Sequence, residues 1–181
     1  FSGDDGAHDA AHLARVWKNV TRIQARERGD LEVLAAATLL HDCVAMEKND
    51  PRRRQASRLA AEKASRVLND LGWEAARLNA VAHAIEAHSF SANIEPRTLE
   101  AEILQDADRL DALGMVGVAR TFYIGGRMGT ALYHAEEPVA TTRPLDDKRF
   151  AIDHFHVKLL KLADGFRTKT GRALAAERHA R

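Results

Sequence analysis

Cysteine occurs once, as Cys43, which excludes an internal disulfide and suits a reducing compartment. Net charge is nearly absent: 27 Lys and Arg against 26 Asp and Glu leave +1. The molecule as a whole is therefore not an electrostatic trap for nucleic acid or membrane. No apolar run reaches the length of a membrane span, and no signal-peptide pattern opens the sequence, whose first residue is Phe1. A linker, an internal repeat and a low-complexity segment are missing too, and the strand signal is weak everywhere. What remains is 181 residues, 45% hydrophobic and 29% charged, enough for one soluble domain with a sizeable core. The expectation is a cytoplasmic protein with no nucleic-acid and no membrane partner; the sequence does not reveal its oligomeric state.

What is present is helical pattern. Residues 9–28 read as a first helix, on which His12, Val16 and Val20 share a face at i, i+4 spacing. Gly29-Asp30 ends it, and Asp30 can cap the next. That second helix, 31–44, carries a single charge between Leu31 and Leu40, which predicts a helix buried nearly all round. It runs into His41-Asp42, and burying an imidazole and a carboxylate is costly unless they are paired or bind a metal. Further helices are predicted over 57–71, 74–88, 98–124 with a kink near Gly114 and Gly117, 148–164 and 168–179. Residues 125–147, with three glycines and two prolines, form a long loop and a candidate lid. The class is all-α.

Nine histidines are present, five of them between His8 and His88 and each in or beside a predicted helix. His12 points inward, His41 and Asp42 adjoin, and Asp106, Asp108 and Asp111 crowd one later helix. Two neutral imidazoles and two carboxylates balance a divalent cation, and such mixed nitrogen and oxygen sets suit Mn, Fe, Zn, Ni or Co. Water in open positions would become a nucleophile near neutral pH. Asp106 and Asp108 are about two hundred degrees apart on a helix and cannot both face one ion. Periodicity does not choose among the three aspartates.

The words around these residues resemble a known family. His8-Asp9-Ala10-Ala11-His12-Leu13-Ala14-Arg15-Val16 is similar to an HDxxHxxRV opening. His41-Asp42 and then Asp106-Ala107-Asp108-Arg109-Leu110-Asp111-Ala112-Leu113-Gly114 follow in the same order, and Ala119-Arg120-Thr121-Phe122 continues it. Together they resemble the HD-domain metal-dependent phosphohydrolase superfamily, in a bacterial single-domain subgroup. The resemblance extends over essentially the whole chain. It implies a compact HD-domain bundle of about seven or eight helices and hydrolysis of a phosphate ester or anhydride, with a nucleotide as a fitting substrate. It implies one divalent metal, Mn favoured over Mg, Ni, Co or Fe, on His12, His41, Asp42 and Asp108. His8, Asp106 and Asp111 are then expected to orient the ligands from behind. Asp42, Lys48 and His88 are expected to act in catalysis.

Phosphate also needs cations for its oxygens. Lys48, Arg52, Arg127 and Lys158 are the candidates, beside a solvated basic turn as the plain reading of 48–54. His83 and His88, at i, i+5, do not share a face: one is expected to line the site and the other to be a core or capping histidine. Trp17, Trp73, Phe122 and Phe155 read as core aromatics, Cys43 as a packed residue rather than a nucleophile. His134, His154, His156 and His179 read as surface or structural, and Arg178 to Arg181 as a solvated tail. Two rivals stand beside the hydrolase: a di-iron oxygenase of the same fold, which needs more ligands, and a non-enzymatic helical module with a structural metal.

Overall fold

The computed structural model describes residues 9–44, 46, 50 and 52–180. Eight α-helices follow one another: α1 Ala10–Glu27, α2 Leu31–Leu40, α3 Ala56–Asp70, α4 Ala75–His88, α5 Leu99–Leu110, α6 Gly114–Met128, α7 Asp153–Val157 and α8 Lys169–His179. Short 3-10 turns, Arg53–Gln55 and Leu159–Gly165, precede α3 and follow α7. No strand is formed among the described residues; one isolated bridge joins Ala131 and Phe150. No described helix is long and apolar enough to cross a membrane.

The first helix starts where Asp9 accepts the amide of His12 at 2.9 Å, satisfying one of the donors a helix leaves open at its start. Its buried face runs through His12, Val16, Asn19, Val20 and Ile23, the i, i+4, i+7 spacing of a core stripe. Asp30 caps α2 by accepting the amides of Glu32 and Val33. At the turn between them Gly29 has φ +97° and its Cα faces Glu100 and Ile103, so a side chain there would be both strained and crowded.

The helix buried on most sides is α5, not α2. Between Ala101 and Leu110 every residue except Glu102, Asp108 and Arg109 is fully covered, whereas Leu31 and Leu39 of α2 face solvent. An apolar composition does not require burial all round; α2 covers only Val33, Leu34, Ala37 and Thr38. α2 also stops at Leu40 rather than 44. The His41 ring donates from Nδ1 to the Thr38 carbonyl at 2.7 Å, which takes the acceptor the next helical amide would use. His41 and Asp42 therefore sit in a turn.

The long helix expected over 98–124 is two. It breaks at 111–113, and α6 restarts at Gly114, whose φ of +69° suits a residue without Cβ. α6 then runs to Met128, past the predicted start of the loop. The following segment is tied down from within. Arg143 grips the buried Asp153 with two hydrogen bonds of 2.6 and 2.8 Å, the Asp146 amide adds a third, and Glu137 accepts from Thr141, Thr142 and Arg143.

Asp106 serves α8. Fully buried, it accepts from the Arg167 and Thr168 amides and the Thr168 hydroxyl at 2.7–2.9 Å. A Cβ on Gly171 would come within 2.3 Å of its carboxylate, so only glycine admits this approach. Arg178 is no solvated end: it donates to the Leu110 carbonyl and, at 2.7 Å, to Asn19 Oδ1, while Asn19 donates to the Ala107 carbonyl. The buried aromatics are Phe150 and Phe166; Trp17 and Trp73 pack on the core only in part, and Phe122 rests on Phe155 at 6.1 Å.

Candidate functional site

Four elements bring ionisable side chains to one point. α1 supplies His12, the turn after α2 supplies His41 and Asp42, the end of α4 supplies His88, and α5 supplies Asp108. His12 Nε2 lies 3.4 Å from His41 Nε2, 3.6 Å from Asp42 Oδ2 and 3.5 Å from Asp108 Oδ1. His41 Nε2 lies 3.5 Å from Asp42 Oδ2 and 4.0 Å from Asp108 Oδ1. His88 joins from the side, its Nε2 3.7 Å from Asp42 Oδ1 and its ring edge-on to His41 at 4.9 Å.

The histidines are oriented from behind. His41 Nδ1 donates to Thr38 and His88 Nδ1 to Ile85, at 2.7 and 2.6 Å. His12 Nδ1 meets Asp111 Oδ2 at 2.8 Å. Each Nδ1 is committed to an oxygen, so each ring in its neutral form presents the Nε2 lone pair toward the cluster. Asp111 is itself fixed by three donors besides: Arg15 Nε and Nη2 at 2.7 and 3.0 Å, and Arg120 Nη1 at 2.7 Å.

This arrangement seeks positive charge. Burial opposes protonating His12, but the hydrogen bonds to Asp111 and Asp42 and the charge of Asp108 outweigh it and raise its pKa to about 9. Burial would push Asp42 and Asp108 up; the surrounding histidines overcome it and hold both below the usual carboxylate range. Burial lowers His41. Asp111 sits at about 2, its burial outweighed by His12, Arg15 and Arg120. Two imidazole lone pairs facing each other at 3.4 Å beside two carboxylates repel one another unless a cation lies between them. Ligands around one ion at about 2.1 Å stand up to about 4.2 Å apart, so separations of 3.4–4.0 Å fit a shared divalent cation. Among the described residues, His12, His41 and Asp42 offer donor atoms all within 4.8 Å of one another.

The cluster opens into a cavity of about 1230 Å³, at the upper end for small-molecule sites. Asp42, His88 and Asp108 form part of its floor. One wall is α6, which presents Gly117, Arg120, Thr121, Ile124, Gly125 and Met128 at helical spacing. Cations enter from several sides: Arg53 and Lys63 near α3, Arg109 and Arg120, and Lys148 and Lys158 from later in the chain.

Against this geometry the predicted residues divide. His12, His41, Asp42, Asp108 and His88 converge, Asp111 stands behind His12, and Lys158 lines the cavity. Asp106 is turned to α8 and has no place behind the histidines. Arg52 pairs with Asp50 at the surface, and its neighbour Arg53 faces the cavity instead. Arg127 is exposed on α6, outside the cavity-lining face. His8 and Lys48 lie outside the described residues. His83 accepts the Arg97 amide at 2.9 Å and fastens the loop before α5. Burial pushes the Cys43 thiol up, away from nucleophilic use. Sequence reasoning missed Arg15 and Arg120 as the clamps on Asp111, although both lie inside words that carried the resemblance. It also missed His154, which lines the cavity with its Nδ1 2.9 Å from Asp147.

The same arrangement has relatives. The HD domain pattern matches residues 9–113, the stretch that contains His12, His41, Asp42, Asp108 and Asp111. The chain is 35% identical over 183 residues to the uncharacterized protein YpgQ of Bacillus subtilis strain 168, covering 99% of this chain and 81% of YpgQ. The crystal structure of YpgQ in complex with ADP matches with a TM-score of 0.74 at 34% identity, over 98% of this chain and 85% of that one. An HD-superfamily hydrolase from Bacillus thuringiensis matches with a TM-score of 0.71 at 32% identity, over 96% of this chain and 79% of that one. With the fold, the ordered ligands and these likenesses in agreement, the chain belongs to the HD-domain superfamily of hydrolases.

Proposed function

We propose that the protein is a divalent-metal-dependent phosphohydrolase of the cytoplasm that acts on a nucleotide or a similarly small phosphate ester or anhydride. The observation that carries this is the pair of buried Nε2 atoms, 3.4 Å apart, beside Asp42 and Asp108, which line a cation-walled cavity. His12, His41, Asp42 and Asp108 would hold the metal, with manganese suited to such a mixed donor set. When bound, a divalent metal supplies Lewis acidity to a phosphoryl oxygen and a lowered pKa to water.

The chain's own residues supply the rest. Asp111 keeps His12 in the tautomer that presents Nε2. His88, with Nδ1 committed to Ile85, would take up and release a proton at Nε2 beside Asp42, and in its doubly protonated form would give that proton to a leaving oxygen. Arg53, Lys148 and Lys158 offer charge to phosphate oxygens that approach the floor. A nucleotide suits the cavity's size, and YpgQ, a relative over most of its length, has been crystallised with ADP. The tie of His83 to Arg97 leaves it unavailable to a second metal, which weighs against the oxygenase reading.

The test is phosphate and pyrophosphate release from a panel of nucleotides and phosphomonoesters. Metal-stripped protein is reloaded separately with Mn, Mg, Co, Ni and Fe. Metal-dependent release that disappears in His41→Ala is the expected result. Release that persists in metal-stripped His41→Ala, or a protein that retains two irons and releases nothing, overturns the assignment.

A further inference from the structure

The cavity contains one Phe, Tyr or Trp ring among its described lining residues, and that ring is conspicuously uncovered. Phe90 is 54% exposed, while a phenyl side chain gains most from burial. It sits two residues beyond His88, about 7 Å along an extended chain, so the ring stands beside the floor where His88 meets Asp42 at 3.7 Å. Two cations stand against it. Lys158 Nζ lies 4.7 Å from the ring centroid and Arg109 Cζ 5.7 Å. Arg109 is anchored on the Gly165 carbonyl at 2.8 Å, and Lys158 immediately precedes the short 3-10 run that ends at Gly165. The cations steady the ring and leave more than half of the residue open. Ser89 and Ser91, whose hydroxyls lie 3.1 Å apart, border it within the same cavity.

We propose that Phe90 is a base-stacking platform that makes this site select nucleotides over bare phosphates, an inference that rests on the nucleotide reading above. Every base has a π-face, so stacking on a phenyl ring accepts purines and pyrimidines alike. The spacing follows a nucleotide's own layout: base on Phe90, phosphates past Lys158 toward Asp42 and His88. The serine hydroxyls offer donors and acceptors to the base edge or the sugar. A phosphomonoester without an aromatic group would engage the cations and the floor but leave Phe90 idle.

Calorimetric binding of ADP and of pyrophosphate to the manganese-loaded protein tests this, with Phe90→Ala and Phe90→Trp beside the unaltered chain. Removing the ring is expected to weaken ADP about 5- to 150-fold, the range for loss of one base stack. Pyrophosphate binding stays within about twofold, because the ring never touches it. Phe90→Trp restores ADP binding, and unchanged melting temperatures in both variants exclude misfolding as the cause. A Phe90→Ala protein that holds ADP as tightly as before, or loses ADP and pyrophosphate alike, overturns the inference while leaving the hydrolase intact. Unaltered protein that binds neither probe overturns the nucleotide reading itself.

Discussion

The floor of the cavity and its walls are built by different rules. The floor comes from α1, α2, α4 and α5, and its histidines are almost wholly buried: His12, His41 and His88 are 0%, 1% and 6% exposed. Each has its second nitrogen bound to an oxygen of a neighbouring element or of its own turn. The walls come largely from α6 and the segment after it, where Arg120 and Lys158 present long cations, and from the loop after α4, where Phe90 stays open. A floor made of short, locked side chains fixes donor atoms to fractions of an ångström, as shared coordination requires. Walls made of long side chains on less deeply packed elements can adapt to what enters. The HD pattern ends at residue 113, just before α6, so it spans the whole floor together with Arg53 and Phe90, while α6 and Lys158 lie beyond it.

If the contrast is real, damage to the floor should far exceed damage to the walls. Alanine at His12, His41 or Asp108 is expected to lower metal affinity by more than about a hundredfold, beyond what outer partners contribute; titration calorimetry with manganese reads it. Asp111→Asn, which keeps the shape but removes the charge behind His12, should cost about 10- to 100-fold in the same measurement. On the wall, Lys158→Ala should raise KM about tenfold, the loss of one charged hydrogen bond, with metal affinity unchanged. Equal losses of metal in Lys158→Ala and Asp111→Asn would erase the distinction.

The smallest effects belong to groups that touch neither region. Asp153, gripped by Arg143, has its pKa lowered to about 2. A carboxylate depressed in the folded state stabilises it fully above the ordinary value near pH 4 and loses that contribution as pH falls toward 2. Asp153→Asn should therefore melt lower than the unaltered protein at pH 7, and the gap should close on acidification below about pH 4. A gap that persists at pH 2 would deny the ion pair its part. Arg52→Ala, at a residue paired with Asp50 on the surface, should change KM by less than about twofold.

Most of the floor could be read from the chain, and less of the walls. Helix spacing placed His12 inward, and the Asp30 cap announced where α2 begins. Composition misjudged α2, because an apolar decapeptide can expose Leu31 and Leu39 when only one side meets a neighbour. Three aspartates within six residues were indistinguishable by period. Only the tertiary partners separate them: Asp106 goes to the amides opening α8, Asp108 to the cluster, and Asp111 to His12. Arg53 and Arg52 differ by one position in a 3-10 turn, which no propensity resolves. The break at 111–113 was half visible in Gly114, but the residues that hold Asp111 there, Arg15 and Arg120, lie 96 residues away in one direction and 9 in the other.

The clasp formed by Arg178, Asn19 and the Leu110 and Ala107 carbonyls has a consequence for the order of events during synthesis. Every ligand of the cluster has been made by the time Asp111 is added, but Arg178 follows about seventy residues later, several seconds at ordinary elongation rates of roughly 5–20 residues per second. In that interval α1 and α5 can meet through their apolar stripes but lack the bond that pins them in register. The nascent chain thus carries a complete set of candidate donors before it carries the latch that ties α1 to the end of α5.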